Sequence, residues 1–195
     1  MIYLASGNAH KAQEFQALAN GSNLGLTIRP AAKMPTVVED TGTFAGNARK
    51  KAAALKAILP PEAWVLADDS GLCVDALRGA PGVESAYFAG PQGNPRANLL
   101  KLVEVMAAVP EGQRGAFFTC VLCLQGPHGI EQVVEERCVG RLAREPAGGQ
   151  GFGYDPLFVP AGHERTYAEL DAATKNHLSH RGRAFHRLAG WLKGV

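Results

Sequence analysis

Residues 115–142 carry the alternating, β-branched pattern of two long strands. The short segment GPHG at 126–129 separates them, so the pattern predicts a β-hairpin, in which the strands are antiparallel. The chain begins differently, with a strand at Ile2–Ala5 that passes directly into a helical pattern ending at Gly21. Strand-turn-helix units favour parallel strands. The two patterns together predict an α/β fold with a mixed β-sheet.

Three further segments have helical spacing. One begins at Phe44 and is stopped by Pro60. The next has Asn94 in the N-cap position and Pro95 at the first helical position, which is a strong helix-start signal. A last helix is predicted from Ser179. Helices therefore separate most of the predicted strands.

Strands are also predicted at Leu24–Ile28 and at residues 64–74, whose sequence is WVLADDSGLCV. Residues 146–180 are predicted to be rich in loops, and loops of that length usually carry function. No internal repeat or linker composition divides the chain. We therefore expect a single domain over residues 1–195.

Composition excludes several classes of protein. Hydrophobic residues make up 46% of the chain and charged residues 19%, which is typical of a globular protein. A net charge of +2 is too small for a nucleic-acid footprint, and the basic run at 49–51 is predicted to be the solvated face of a helix. No apolar stretch is long enough to span a membrane, and MIYLAS lacks the basic start of a signal peptide. We expect a cytoplasmic protein that binds neither nucleic acid nor membrane.

The segment CVLC, Cys120–Cys123, has a spacing that occurs in metal and redox sites. It lies within a strand pattern, where positions three apart point to opposite faces, and no second pair follows. Buried structural thiols are therefore the preferred interpretation.

The turn SGNAHK, Ser6–Lys11, joins the first strand to the first helix. Such turns aim unpaired backbone N–H groups and the positive end of the helix dipole at one point, which favours an anion. Ser6 and Asn8 offer side-chain hydrogen bonds, and Gly7 allows close approach of the backbone. We interpret the turn as a phosphate site. The alternative is that Asn8 is an N-cap and Lys11 a surface charge.

Two adjacent acids, Asp68 and Asp69, interrupt the apolar strand of residues 64–74. Ligands of open α/β sheets bind at strand ends, and neighbouring carboxylates repel each other unless a cation is present. Adjacent strand residues face opposite ways, so we expect one acid to face a ligand and the other to cap or orient neighbouring backbone. A turn formed by Asp-Asp-Ser-Gly is the alternative.

Glu39 and Asp40 lie in a loop that could supply a second carboxylate. One or two carboxylates together with substrate phosphates are a typical Mg²⁺ site. Asn47 and Lys51 are one turn apart on the following helix, where they either join this site or form an exposed polar stripe.

Two later motifs fit the base of a nucleotide. GFGYDP places Phe152 and Tyr154 among glycines, where an exposed ring gains about 1–3 kcal/mol by stacking on a base. The alternative is that these aromatic rings are tucked under the glycines of their own loop. SHRGRA places His180 and Arg181 in the first turn of the last helix, where cations oppose the helix dipole. They therefore either face an acceptor-rich ligand or form a solvated basic end. Together the motifs indicate a nucleoside triphosphate site.

Six motifs occur here in the order seen in one family: SGNAHK, EDTGTFAGNARKKA, ADDSGLCVDAL, GAPGVESAYFAG, GFGYDP and SHRGRA. Over residues 1–193 the chain resembles the inosine/xanthosine triphosphate pyrophosphatases. The resemblance implies a Mg²⁺-dependent hydrolase that cleaves ITP, dITP and XTP to the monophosphate and pyrophosphate. It also implies an elongated mixed α/β sheet flanked by helices, two lobes around a central cleft, and a homodimer.

The matching motifs imply a set of functional residues. Asp69 is expected to be the catalytic residue, which binds the metal and positions water, and Glu39 the second metal ligand. Substrate contacts are implied at Ser6, Gly7, Asn8, Ala9, His10, Lys11, Ser70, Phe152, Gly153, Tyr154, Asp155, Lys175, His180 and Arg181. The chain departs from the family pattern at Gly46, where many relatives carry an acid, and at Ser6, a frequent threonine.

An ordinary aspartate with a pKa near 4 is a weak base, so we expect Asp69 to orient water more than to accept a proton. Donors at Lys175, His180 and Arg181 are expected to select a 6-oxo purine, because the amino group of adenine leaves them unpaired. Rival interpretations are a pyrophosphatase for modified pyrimidines or standard triphosphates, a nucleotide sensor without activity, and a nucleic-acid-binding module.

Overall fold

The computed structural model describes residues 1–194, in which six strands form one sheet in the order β2-β1-β3-β4-β5-β6. The strands are β1 Ile2–Leu4, β2 Ile28–Pro30, β3 Trp64–Val74, β4 Gly115–Gln125, β5 Glu131–Leu142 and β6 Phe158–Pro160. Strand β1 is parallel to both β2 and β3, whereas β5 and β6 are antiparallel. The predicted mixed sheet and the hairpin of β4 and β5 are confirmed.

Five helices lie between or after the strands: α1 Ala9–Gly21, α2 Phe44–Lys56, α3 Pro95–Val105, α4 Ala172–Leu178 and α5 His180–Leu192. Side-chain caps determine where they begin. Thr43 accepts the backbone N–H of Gly46 at the start of α2, and Asn94 accepts that of Ala97 at the start of α3. Within residues 1–194, no helix is both long enough and apolar enough to cross a membrane.

Three predicted boundaries differ from the structure. The second strand occupies Ile28–Pro30 rather than Leu24–Ile28, because the parallel register pairs Ile28 with Ile2. Leu24 and Leu26 still pack against the core, so their apolar pattern reflects burial and not strand pairing. Helix α3 ends at Val105 although its helical pattern runs nearly to Pro110. The segment 146–180, predicted to be loops, contains both β6 and α4.

The chain divides into two compact units. Unit 1 contains Met1–Asp69, Cys120–Glu136 and the segment from Arg181 onward, and unit 2 contains Ser70–Thr119 and Arg137–His180. A single domain over residues 1–195 stays a prediction, and Val195 lies outside the described residues.

Unit 1 has two apolar clusters, one on each face of its part of the sheet. Phe15 of α1 and Phe185 of α5 pack in the first, and Leu55 of α2 packs in the second. Cys120 belongs to the first cluster and Cys123 to the second, as the strand pattern predicted. All four cysteines are free and buried, and burial raises the pKa of the Cys123 thiol to about 12. The interpretation of CVLC as buried structural thiols is confirmed.

Unit 2 has one apolar cluster, which contains Phe118 of β4, Phe158 of β6 and Tyr167. Helix α3 contributes Leu102 to it, and Met106, directly after the helix, belongs to it as well. The Phe118 ring lies edge-on to Phe158 at 4.9 Å and parallel to Tyr167 at 5.9 Å, so aromatic contacts fix this core.

Candidate functional site

The turn after β1 is closed by its own side chains. The Asn8 Oδ1 accepts the backbone N–H groups of His10 and Lys11 at 2.9 and 3.2 Å. The Ser6 Oγ accepts the backbone N–H of Asn8 at 3.1 Å. Asn8 is therefore the N-cap of α1, which was the alternative interpretation from the sequence. Residues 7–10 are exposed, so the turn is open to solvent.

The two adjacent acids of β3 face opposite sides of the sheet, as strand alternation predicted. Asp68 lies on the side of Cys120, and Asp69 lies on the side of α2, where it meets Lys51. Both carboxylates are buried. The side chains of Lys11, Arg181 and Cys120 contact Asp68. That one acid orients neighbouring backbone stays a prediction.

Asp68 binds cations from two helices. Its Oδ2 lies 2.7 Å from the Lys11 Nζ of α1 and 3.4 Å from the Arg181 Nε of α5. The Arg181 Nη1 also lies 3.2 Å from the Glu14 Oε2. A solvated basic end is therefore wrong for Arg181, which is buried and pairs with carboxylates of the chain, whereas an acceptor-rich ligand at this turn stays a prediction.

Lys51 lies between two carboxylates. Its Nζ is 2.7 Å from the Asp69 Oδ1 and 2.7 Å from the Glu39 Oε2. The prediction that residues 49–51 form a solvated face is wrong for Lys51, which is buried, and holds for Arg49 and Lys50. The other Asp69 oxygen, Oδ2, is buried and accepts no hydrogen bond. A buried oxygen without a donor has unused capacity to bind a cation or a water molecule.

The two carboxyl groups that share Lys51 have pKa values shifted in opposite directions. Burial raises the pKa of the Asp69 carboxyl to about 6, although the Lys51 ammonium acts in the opposite direction. For Glu39, burial raises the pKa as well, but the hydrogen bond and charge of Lys51 outweigh it and leave the pKa below its ordinary value. The expectation of an ordinary pKa near 4 for Asp69 is therefore wrong for the metal-free chain.

The loop that carries Glu39 is held by the start of α2. The buried Asn47 Oδ1 accepts the Thr41 backbone N–H at 3.2 Å and the Thr41 hydroxyl at 2.8 Å. A Cβ at Gly46 would lie 2.8 Å from the Thr43 Oγ1 and closer still to the Thr41 hydroxyl. A side chain at position 46, where many relatives carry an acid, would therefore collide with the Thr41 turn of this chain. Asn47 closes the turn and does not form an exposed stripe.

Asp40 is separate from this arrangement. Its Oδ1 lies 2.5 Å from the Nζ of Lys50, and both side chains are exposed. Of the two acids considered from the sequence, only Glu39 lies beside Asp69.

In unit 2 the loop GFGYDP is organised by Asp155. Its Oδ2 accepts the backbone N–H of Phe152 at 2.8 Å and the Lys175 Nζ of α4 at 2.8 Å. The Lys175 Nζ lies 5.4 Å from the centre of the Phe152 ring, a cation–π distance. Gly151 has φ +75°, and a Cβ there would strike the Asp155 carboxylate.

The two aromatic residues of this loop have different surroundings. Phe152 is half-buried, whereas Tyr154 is buried in the core and its hydroxyl donates to the Ser85 carbonyl at 2.8 Å. The predicted exposed platform is therefore wrong for Tyr154. Gly153 is half-buried beside it, and Ser70 is half-buried in β3 directly after Asp69.

In unit 2, His180 packs against the aromatic core. Its ring is buried and stacks on Phe118, with centroids 4.6 Å apart and planes 8° apart. The Tyr167 ring lies on Phe118 as well and within 6.0 Å of the Lys175 Nζ. Sequence reasoning missed Phe118 and Tyr167 as support for the site. Both are apolar-pattern residues, so no local signal separates them from ordinary core residues.

The fold and these clusters define an α/β protein in which lysine and arginine side chains hold two buried carboxylates in the middle of strand β3, and not at its end. The chain matches the Ham1 family over residues 2–191 and belongs to that family.

Relatives of high similarity cover nearly the whole chain. A protein of Opitutus terrae named dITP/XTP pyrophosphatase is 57% identical over 97% of both chains. A protein of the same name from Rhodopirellula baltica is 46% identical, over 94% of this chain and 88% of that one. The family resemblance read from the six motifs is confirmed.

Solved structures agree in fold. A HAM1 protein from Coxiella burnetii matches with a TM-score of 0.85 and 37% identity, over 100% of this chain and 98% of that one. A Mycobacterium abscessus protein described as a nucleoside-triphosphatase, dITP/XTP pyrophosphatase, matches with a TM-score of 0.73 and 39% identity, over 96% and 97% of the two chains.

Replacing Gly151 by alanine tests the loop geometry. We expect Gly151→Ala to lower the free energy of unfolding by about 1–3 kcal/mol more than Gly162→Ala, because only the first adds a collision to the backbone strain. Gly162 has a similar φ of +80° and open space around it. Urea denaturation of both variants gives the comparison, and equal losses would contradict the tight approach of Asp155.

The raised pKa of Asp69 predicts a pH effect on stability. A carboxyl with a folded pKa of about 6 stabilises the fold below its unfolded value near 4, and this contribution is lost as the pH rises through 6. Relative to Asp69→Asn, the parent should lose up to about 3 kcal/mol of unfolding free energy between pH 4 and 6. Denaturation without divalent metal measures this, and a flat or rising difference would contradict it.

Proposed function

We propose that this chain is a nucleoside triphosphate pyrophosphatase that hydrolyses ITP, dITP and XTP to the monophosphate and pyrophosphate. The observation that carries the proposal is the near-full-length match to the Opitutus terrae relative named dITP/XTP pyrophosphatase. Membership of the Ham1 family over residues 2–191 supports it as well. Such an enzyme removes deaminated purines from the nucleotide pool.

We infer that Asp69 and Glu39 hold Mg²⁺. Their carboxylates already share one cation, Lys51, and the Asp69 Oδ2 accepts no hydrogen bond. No group of three His, Cys, Asp or Glu side chains within residues 1–194 is placed to hold a metal, so phosphate oxygens and water would complete the coordination. When bound, Mg²⁺ supplies charge neutralisation at the phosphates of the substrate.

Asp69 orients the attacking water in this proposal. Its Oδ1 is fixed by Lys51, and the buried Oδ2 is left to accept a hydrogen bond from water. The expected reaction is an in-line attack on the α-phosphorus, with pyrophosphate as the leaving group.

The turn Ser6–Lys11 is proposed to bind the triphosphate. Its residues Gly7, Asn8, Ala9 and His10 are exposed, and Lys11 retains 17% exposure of its side chain. The helix dipole of α1 favours an anion at this end. Ser70, next to Asp69 in β3, is proposed as a further substrate contact.

The base is proposed to be bound by Phe152, Gly153, Asp155, Lys175, His180 and Arg181. Phe152 offers a ring face, and Lys175 and Arg181 offer donors. Donors matched to O6 of hypoxanthine are left unpaired by adenine, a mismatch that can discriminate by about 10⁴-fold. Tyr154 is proposed to act through the position of the loop, since its hydroxyl is bound to Ser85.

A homodimer is proposed on the ground of the family resemblance, and the cytoplasmic location expected from the sequence stays a prediction. The net charge of +2 supports free nucleotides rather than nucleic acid as the substrate.

A panel of triphosphates tests the activity, with Asp69→Asn as the catalytic variant. We expect pyrophosphate release from ITP, dITP and XTP with Mg²⁺, little from ATP or pyrimidine triphosphates, and none with chelator. Asp69→Asn should lower kcat on ITP by about 10²–10⁴-fold, because the group that orients water is lost. Glu131→Gln, which breaks the exposed ion pair with Arg49, should retain the parent activity. Near-normal turnover by Asp69→Asn would refute its role.

Arg181→Ala tests the recognition of the base. We expect the preference for ITP over ATP, as the ratio of kcat/KM values, to fall by at least about tenfold because a donor to O6 is removed. Arg187→Ala on the same helix α5 is the matched control, since Arg187 is exposed and pairs with Glu136 at 3.0 Å. An unchanged ratio in Arg181→Ala would refute this part of the proposal.

A further inference from the structure

Asp68 has no role in the proposed reaction so far, although it adjoins the catalytic Asp69. Its side chain has no solvent exposure. A buried carboxylate costs several kcal/mol unless charges and hydrogen bonds compensate it, so its position requires an explanation.

The contacts of Asp68 supply that explanation. A single oxygen, Oδ2, meets both the Lys11 Nζ at 2.7 Å and the Arg181 Nε at 3.4 Å. The other oxygen, Oδ1, lies 3.3 Å from the Cys120 Sγ. One carboxylate therefore fixes the charged ends of two long side chains that belong to α1 and α5.

We propose that Asp68 is the positioning residue for Lys11 and Arg181, and that it sets the spacing between phosphate binding and base recognition. This inference rests on the proposed function, in which Lys11 binds the triphosphate and Arg181 the base. Asp68 does not join the metal ligands, because it faces the side of the sheet opposite to Asp69.

Charge is the property that this role needs. Lys11 and Arg181 approach the same oxygen, so their positive charges are close together, and the Asp68 carboxylate between them offsets their repulsion. An amide at this position keeps the shape but not the charge. The lysine would then move away, and Arg181 would be held by the Glu14 contact without its Nε partner.

The test compares Asp68→Asn with the parent on ITP and ATP. We expect the ITP-over-ATP ratio of kcat/KM to fall about tenfold, which is an ordinary coupling for charged side chains in contact. A merely structural role would lower the activity on both substrates and leave the ratio unchanged. An unchanged ratio in folded Asp68→Asn overturns the inference.

A double-mutant cycle asks whether Asp68 acts through Arg181. In the Arg181→Ala background, Asp68→Asn should cause no further fall in the ratio, because the side chain that it positions is absent. The same fall in both backgrounds overturns the inference.

Asp68→Glu is the conservative variant. If Asp68→Asn does not fold, Asp68→Glu tests whether the carboxylate at this position sets the ITP-over-ATP ratio. It retains the charge, so we expect a ratio close to that of the parent, whereas a folded Asp68→Glu with the ratio lost overturns the inference. Failure of the proposed function looks different. In that case the parent releases no pyrophosphate from ITP, or Arg181→Ala leaves the ratio unchanged.

Discussion

Two neighbouring carboxylates buried on one strand are the constraint on which unit 1 depends. A buried carboxylate is tolerated only with cationic or hydrogen-bonding partners, and β3 places Asp68 and Asp69 side by side. Three helices supply these cationic partners: Lys11 comes from α1, Lys51 from α2 and Arg181 from α5. The positions of these helices on both faces of the sheet are thus tied to the electrostatics of a single strand.

The arrangement also explains why the pKa values of Asp69 and Glu39 shift in opposite directions. Lys51 is shared between Asp69 and Glu39, and the more deeply buried Asp69 has the raised pKa while Glu39 has a lowered one. Two carboxylates that share one cation can therefore differ in pKa when their burial differs. The Gly46 position cannot add a third acid without disturbing the Thr41 turn.

Much of the fold could be predicted from the sequence, because strong local signals coincide with tertiary structure there. Strand β3, the β4–β5 hairpin and the capped helix α3 begin where the pattern places them. The second strand was misplaced because its apolar residues pack in the core without pairing. Helix α4 was missed because its seven residues, AATKNHL, form no apolar stripe, and its buried residue is Lys175. Periodicity cannot detect so short a helix.

The sequence predicts candidate site residues, but not which side chains contact one another. The motifs identified Lys11, Asp69 and Arg181, and strand alternation correctly separated Asp68 from Asp69. Local patterns do not show that distant residues such as Asp68 and Arg181 meet, because that depends on the packing of α5 against the sheet. For the same reason the sequence predicted a solvated side chain for Lys51 and an ordinary pKa for Asp69.

The opposite orientation of Asp68 and Asp69 has a consequence for changes in chain length. A strand has a side-chain period of two, so inserting or deleting one residue early in β3 would exchange the faces of both acids. After a deletion, Asp69 would face Lys11 and Arg181 and Ser70 would lie beside Lys51; after an insertion, Asp68 would lie beside Lys51. A one-residue deletion early in this strand would therefore separate both acids from their present cations.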